Sequence, residues 1–154
     1  MAEPSVPQGL PSWIADHVRR YRESNGKDGH LWDSTVAGGK GMIPTLLLTT
    51  TGRKSGRRQV LPLIYGKSGK SYVIIASKGG APAHPGWYVN LKANPEVDVQ
   101  VAADKFKARA RTASGAERAK LWKQMADLYP PYDDYQRRAT QREIPVVVLE
   151  PIGA

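Results

Sequence analysis

The sequence predicts an α+β domain that is mostly β: a small mixed sheet closed into a barrel, with helices on its periphery. Three observations carry this expectation. Two-residue alternation recurs along the chain, as where Val97, Val99 and Val101 are separated by Asp98 and Gln100, the pattern of strands with one buried face. Short Gly-containing turns, Gly52 to Gly56 and Gly66 to Lys70, join the first such segments as hairpins. Helical spacing of apolar residues is confined to a few short stretches. With 154 residues and 40% hydrophobic content, the chain reads as one domain large enough to bury a core unaided.

Residues 1–40 are expected to form an N-terminal helix and loop, and residues 41–154 the single barrel domain. Met1 to Pro11, with three prolines, reads as a loose leader. Leu10 to Tyr21 reads as a helix with Trp13, Ile14, Val18 and Tyr21 on one side. Arg19, Arg20 and Arg22 beside them suit either a packing helix with a solvated flank or an interfacial helix touching anionic lipid. Asn25 to Gly41 is expected to be a long loop. Strands follow at Thr45 to Thr51, Gln59 to Tyr65 and Tyr72 to Ser77, then a short helix from Pro85 to Ala93 that Asn94-Pro95 ends. Val97 to Val101 and Lys105 to Ala113 are strands. In the second, Phe106, Ala108 and Ala110 share one face, and Lys105, Lys107, Arg109 and Arg111 share the other. That cationic stripe suits either an anion grip or a solvated face that blocks aggregation. Ser114 and Glu117 have capping-box spacing ahead of a helix burying Leu121, Trp122, Met125 and Leu128. Pro130-Pro131 stops it, Tyr132 to Arg138 adds one or two turns, and Pro145 to Leu149 is the last of six strands.

The charge is unevenly placed. Between Ser34 and Pro95 there is no Asp or Glu, against nine cations: Lys40, Arg53, Lys54, Arg57, Arg58, Lys67, Lys70, Lys78 and Lys92. The flanks nearly cancel, with four Lys or Arg against five acids in residues 1–33 and ten against nine in residues 96–154. The net +9 therefore belongs to one block, which concentrates anions around it. A polyanionic partner follows. The absence of cysteine excludes disulfides, thiolate metal sites and cysteine nucleophiles. No run approaches a membrane-spanning length and the start lacks a signal-peptide core. A cytoplasmic protein is the expectation, with at most weak contact at the inner face of the membrane through the N-terminal helix.

Three segments carry candidate chemistry. Gly52-Arg53-Lys54-Ser55-Gly56 suits either a backbone-and-guanidinium anion cradle or an ordinary hairpin tip, and it lacks P-loop spacing. Ser77-Lys78-Gly79-Gly80 places another hydroxyl, cation and pair of flexible amides at a strand end. Trp87, Tyr88 and Asn90 follow it, suiting a flat heterocycle with an acidic tail, although Trp87 and Leu91 one helical turn apart also suit plain core. Tyr129, Tyr132 and Tyr135, three apart, share one helical side and either wall a pocket or simply pack. Other chemistries find no support. His17, His30 and His84 lack metal-ligand spacing, no Gly-x-Ser-x-Gly elbow occurs, and the block holding the site has no carboxylate. A bound cofactor would then perform the reaction.

The segments Ile43-Pro44, Leu47 to Gly56, Leu61-Pro62-Leu63, Ala76 to Gly80, Trp87 to Pro95, Tyr129-Pro130-x-Tyr132-x-x-Tyr135 and Ile144 to Val147, in this order, resemble the deazaflavin-dependent nitroreductase family of actinobacteria (the flavin/deazaflavin oxidoreductases, subgroup A) over roughly residues 40–150. The resemblance implies a split β-barrel of the pyridoxamine-oxidase-like, flavin-reductase-like kind. It also implies coenzyme F-420, a deazaflavin with a phosphate and an oligoglutamate tail, which would explain the acid-free block. By position, Arg53, Lys54, Ser55 and Lys78 would meet the phosphate and tail. Val60, Leu61, Pro62, Ala76 and Ser77 would line the ring, supported by Trp87, Tyr88 and Asn90. Tyr129, Tyr132 and Tyr135 would face the substrate, with Ser77 as a donor to it. A basic residue common in the family falls on Gln59, and Arg58 is the candidate replacement. A Tyr that faces substrate in nitroimidazole-reducing members falls on Ile64. The implied activity is hydride transfer from reduced deazaflavin to quinones, activated alkenes (enones) or nitroaromatics. A flavin mononucleotide-dependent reductase on the same barrel is the alternative, although so many cations exceed what one phosphate needs. Basic charge with Trp and Tyr also suits a nucleic-acid-binding module, but no recognised motif occurs and no nucleic-acid partner is expected.

Overall fold

The computed structural model describes residues 3–153. Helix α1 (Ser12–Glu23) leads to a short strand β1 (Leu31–Asp33) and a 3-10 turn (Ser34–Ala37). Strands β2 (Met42–Thr51), β3 (Arg58–Ile64), β4 (Gly66–Ser68) and β5 (Ser71–Ile75) follow, then a tight turn (Lys78–Gly80) and helix α2 (Gly86–Ala93). Strands β6 (Glu96–Val101) and β7 (Asp104–Thr112), helices α3 (Gly115–Leu128) and α4 (Pro131–Arg138), and strand β8 (Val146–Pro151) complete the chain. The sheet runs β1-β2-β6-β7-β8-β5-β4, with β3 also on β2. Every strand pair is antiparallel, where a mixed sheet was expected.

Period-two alternation sorts the side chains into an inner core and two outer ones. Leu46 and Leu48 of β2, Ile74 of β5, Val97, Val99 and Val101 of β6, Ala108 and Ala110 of β7, and Val147 and Leu149 of β8 share one cluster, which α2 closes with Trp87, Tyr88 and Leu91. The intervening residues Val73, Ile75, Val146 and Val148 pack beneath Leu121 and Met125 of α3 and Tyr132 of α4. Val18 and Tyr21 of α1 cover Leu47 and Val60 on a third patch. Each fully buried aliphatic contributes about 1.5–3 kcal/mol. The result is a split β-barrel with peripheral helices.

Four local expectations are corrected. The described residues form eight strands rather than six, because β1 forms within the expected loop, on Met42–Pro44, and β4 within the expected turn, on β5. Met1 and Ala2 of the expected leader lie outside the described residues, and within the rest Ser5 is not loose, since it forms a parallel bridge to Gln59 and accepts from the Val60 N–H at 3.0 Å. No capping box forms, as the Ser114 side chain makes no cap bond and Glu117 instead receives two bonds from Arg111, at 2.7 and 2.8 Å. The β7 cations are partly neutralised, Lys107 by Glu96 and Arg111 by Glu117 and Glu150, as a solvated face would be. None of the described helices is long and apolar enough to cross a membrane.

Candidate functional site

One cavity of about 510 Å³ opens where β3, α1, the Ser77–Gly79 segment, the start of α2 and the tyrosines meet. Among the described strands, β3 pairs with β2 alone, its other edge meeting only the Ser5 bridge at Gln59, which lets it carry Pro62 mid-strand and expose a cavity wall. Gln59, Leu61, Pro62, Leu63 and Ile64 all line it. Opposite stand Ser77, Lys78 and Gly79, with Pro85, Gly86 and Trp87 beside them. Pro7, Leu10, Trp13, Ile14 and Trp32 form an apolar end, where Trp13 and Trp32 stack with ring centroids 6.3 Å apart. No carboxylate lines the cavity among the described residues, so nothing there opposes an anion.

The tyrosines converge as their spacing predicts. Tyr129 ends α3, Tyr132 and Tyr135 lie on α4, and all three line the cavity. The Tyr129 and Tyr132 rings meet edge-on at 4.9 Å. The Tyr129 and Tyr135 hydroxyls share a hydrogen bond of 2.9 Å, and the Tyr129 hydroxyl also donates to the Ala37 carbonyl at 3.4 Å. Burial pushes the Tyr129 and Tyr132 phenols well above the usual tyrosine range, so both remain neutral donors. Tyr132 is 4% exposed, and its hydroxyl has no bond to another described residue.

The basic turn lies just outside the cavity. Gly52 to Arg57 closes on itself, with Gly52 N–H to Arg57 O at 2.8 Å and Gly56 N–H to Gly52 O at 2.9 Å. This leaves Arg53, Lys54 and Ser55 exposed. Asn90, buried on α2, fixes the turn. Its Oδ1 accepts from the Arg53 N–H at 3.2 Å and from Nη1 at 2.9 Å, and its Nδ2 donates to Thr50 Oγ1 at 3.3 Å. Thr50 itself lines the cavity. Asn90 thus links the cation turn to the cavity wall.

Other expected contacts fall elsewhere. The Val60 side chain turns outward under α1, and Ala76 is fully buried in the barrel core. Arg58 forms an ion pair with Asp98 of β6 and does not reach the cavity. Tyr88 is core, its hydroxyl bonded to Thr112 Oγ1 at 2.9 Å. Two residues escaped the sequence reading. His17 lines the cavity with Nε2 held by the Gly29 carbonyl at 2.8 Å, hidden in the sequence as one residue of a packing helix. Arg142 donates to the carbonyls of Ala76, Ser77 and Ala81 and to His84 Nδ1. Its partners, three carbonyls and one imidazole nitrogen, are far away in sequence, which no local motif signals.

The residues fit a flat heterocycle carrying an anionic tail. An apolar edge strand and Trp87 offer flat walls, the Ser77–Gly79 segment offers a hydroxyl, a cation and backbone amides, and the Arg53–Ser55 turn offers exposed charge outside the mouth. The F420H(2)-dependent quinone reductase family model matches residues 13–151. An F420H(2)-dependent quinone reductase of Mycobacterium tuberculosis is 41% identical over 136 residues, covering 86% of each chain. The solved structure of an F420-H2 dependent reductase is 45% identical, with a TM-score of 0.64, covering 70% of this chain and 94% of that one. A Listeria innocua protein assigned as a pyridoxamine 5′-phosphate oxidase, 12% identical with a TM-score of 0.51 over 71% of this chain and 84% of that one, shares the split-barrel fold alone. The chain belongs to the F420H(2)-dependent quinone reductase family.

Proposed function

We propose that this protein binds reduced coenzyme F-420 with its ring in the cavity and its tail over the basic turn, and reduces quinones there, with enones and nitroaromatics as further acceptors. The observation that carries the reading is a carboxylate-free cavity joining an apolar wall to the Ser77–Lys78–Gly79 segment, beside three tyrosines. When bound, the reduced deazaflavin supplies a hydride equivalent. Leu61, Pro62 and Trp87 confine a flat ring and exclude water from it. Arg53, Lys54 and Lys78 hold phosphate and carboxylates by charge-assisted hydrogen bonds. Tyr132 and Ser77 orient a flat acceptor and donate to its oxygen as negative charge develops there. Tyr135 sets the width of the acceptor slot, and Ile64 gives an apolar rather than phenolic wall, which favours quinones over bicyclic nitroimidazoles.

Contact with an anionic membrane surface is weak in this reading. The α1 cations are already spent: Arg19 pairs with Asp16 and Glu23, Arg20 with Asp16 and Asp28, and Arg22 with Glu3. The test of function is absorbance and fluorescence titration with F-420 and with flavin mononucleotide, followed by steady-state oxidation of reduced F-420 by menadione, cyclohexenone and a nitroaromatic. Saturable F-420 binding with menadione turnover is expected. Binding of flavin mononucleotide alone would replace the cofactor assignment.

A further inference from the structure

We propose that Arg142 is a positioning residue: its guanidinium holds the Ser77–Gly80 wall of the cavity in the conformation that presents the Ser77 hydroxyl and the Lys78 and Gly79 amides to a ligand anion. The inference deepens the proposed function and rests on it for the identity of that ligand.

The segment needs holding. Lys78, Gly79 and Gly80 are consecutive residues at φ +47, +62 and +83. The left-handed region disfavours a side chain such as that of Lys78, and such backbone persists only where its surroundings over-determine it. The turn's own bonds are two, Gly80 N–H to Ser77 O at 3.0 Å and Ala81 N–H to Lys78 O at 3.1 Å. Both leave the Lys78 and Gly79 amides unused by the turn.

Arg142 supplies the remaining constraint from the connection between α4 and β8. Nη2 donates to the Ser77 carbonyl at 2.7 Å, Nη1 to the Ala76 carbonyl at 3.1 Å and to His84 Nδ1 at 3.0 Å, and Nε to the Ala81 carbonyl at 2.9 Å. One planar fork thereby ties both ends of the turn and the approach to α2. No acid is ion-paired with it among the described residues, so its charge acts on the carbonyls alone. His84 accepts only while that nitrogen is unprotonated. Burial first, then the Arg142 and Lys92 charges, keep its imidazole below the usual histidine range. A lysine cannot reproduce the arrangement, because a single ammonium cannot span carbonyls on both sides of the turn.

The experiment compares wild type, Arg142→Ala and Arg142→Lys by two readouts. The first is amide hydrogen exchange across residues 76–84 in ligand-free protein, which needs no cofactor. The second is the F-420 dissociation constant with kcat at saturating cofactor. Arg142→Ala should speed exchange in that segment alone and weaken F-420 binding by about ten-fold or more, with a smaller change in kcat. Guanidinium ion far below denaturing concentration, compared with sodium chloride at equal ionic strength, should restore both readouts in Arg142→Ala. Arg142→Lys should resemble the unrescued Ala variant. If Arg142→Ala does not fold, Arg142→Lys decides, with exchange confined to the segment supporting the inference. Wild-type exchange and affinity in the variants, loss without guanidinium rescue, or global unfolding of both variants overturns it. If wild type itself does not bind F-420, the cofactor reading fails while the exchange readout still decides the role of Arg142.

Discussion

The seating of α4 on the Lys78–Gly80 turn gives a prediction whose size follows from the geometry. A Cβ added at Gly80 would lie 2.6 Å from the Tyr135 carbonyl oxygen, 3.0 Å from the Tyr135 Cα and 3.1 Å from Arg138 Cβ. The first two are backbone atoms of a packed helix and cannot rotate aside. At Gly79, one residue earlier, an added Cβ meets nothing within 4 Å. Both residues lie in the left-handed region, at φ +62 and +83, so both alanine variants carry a conformational cost of about 1 kcal/mol. Only Gly80→Ala adds overpacking, about 1–3 kcal/mol more. For a domain of this size, Gly80→Ala should lower Tm by about 5–15 °C and Gly79→Ala by about 2–4 °C, measured by calorimetry at one pH. Opening the contact also shifts α4 and its tyrosines, so Gly80→Ala should raise the KM for menadione. Gly79→Ala should act mainly on cofactor affinity. Equal Tm values for the two variants would refute the claim that α4 rests directly on the turn.

Three further outcomes are expected. Asn90→Ala removes both Arg53 bonds and the Thr50 bond of a side chain 3% exposed; it should cost about 1–3 kcal/mol in urea unfolding and weaken F-420 binding in a titration. Tyr132→Phe deletes a hydroxyl with no bonded partner among the described residues, so Tm should fall little while menadione turnover falls more than cofactor affinity. Tyr21 donates to the Thr45 carbonyl at 2.9 Å and accepts from the Ala102 N–H at 2.8 Å, so Tyr21→Phe should cost about 1–3 kcal/mol at neutral pH. Burial pushes the Tyr21 phenol from 10.0 up to about 12. Its raised value means that its contribution is complete below pH 10 and lost as pH rises from there toward 12. Unfolding measured from pH 8 to 11 should therefore show an alkaline decline in wild type that is shallower in the Phe variant.

What the sequence revealed and what it hid follow from how local each signal is. The faces of β6 and β7 were legible because Val99 and Phe106 are register partners in segments whose alternation spans several residues. Strand β1 has three residues and owes its existence to pairing with β2 and to the Trp32 contacts with Trp13 and Tyr129, which are tertiary. Strand β4, Gly-Lys-Ser, has little strand propensity. It forms because its turn sets the register with β5, and Gly66 lies so close to α3 that an added Cβ would sit 2.7 Å from Met125 Sδ. The capping box at Ser114 does not form although its spacing was right: Glu117, which would reach back to the cap, instead receives two bonds from the Arg111 guanidinium, a bidentate ion pair, and the Ser114 side chain makes no cap bond.

The placement of the β3 side chains separates Arg58 from Gln59. Adjacent residues of a strand point to opposite faces, yet Pro62 and Ile64 line the cavity beside Leu61 and Leu63, while Val60 does not. Val60 is the one directed beneath α1. Arg58 shares the outward parity of Val60, and it meets Asp98, which lies between the inward Val97 and Val99 of β6. Gln59 shares the parity of Leu61 and lines the cavity with it. Arg58 is held by Asp98 away from the cavity position of Gln59, and the β2–β3 ladder runs unbroken from Thr45–Ile64 to Thr51–Arg58, with no bulge to carry it there. The cavity accordingly has a neutral amide at that point, and in the function proposed above the cations that meet the ligand are Lys78 and those of the exposed Arg53–Lys54 turn that Asn90 holds in place.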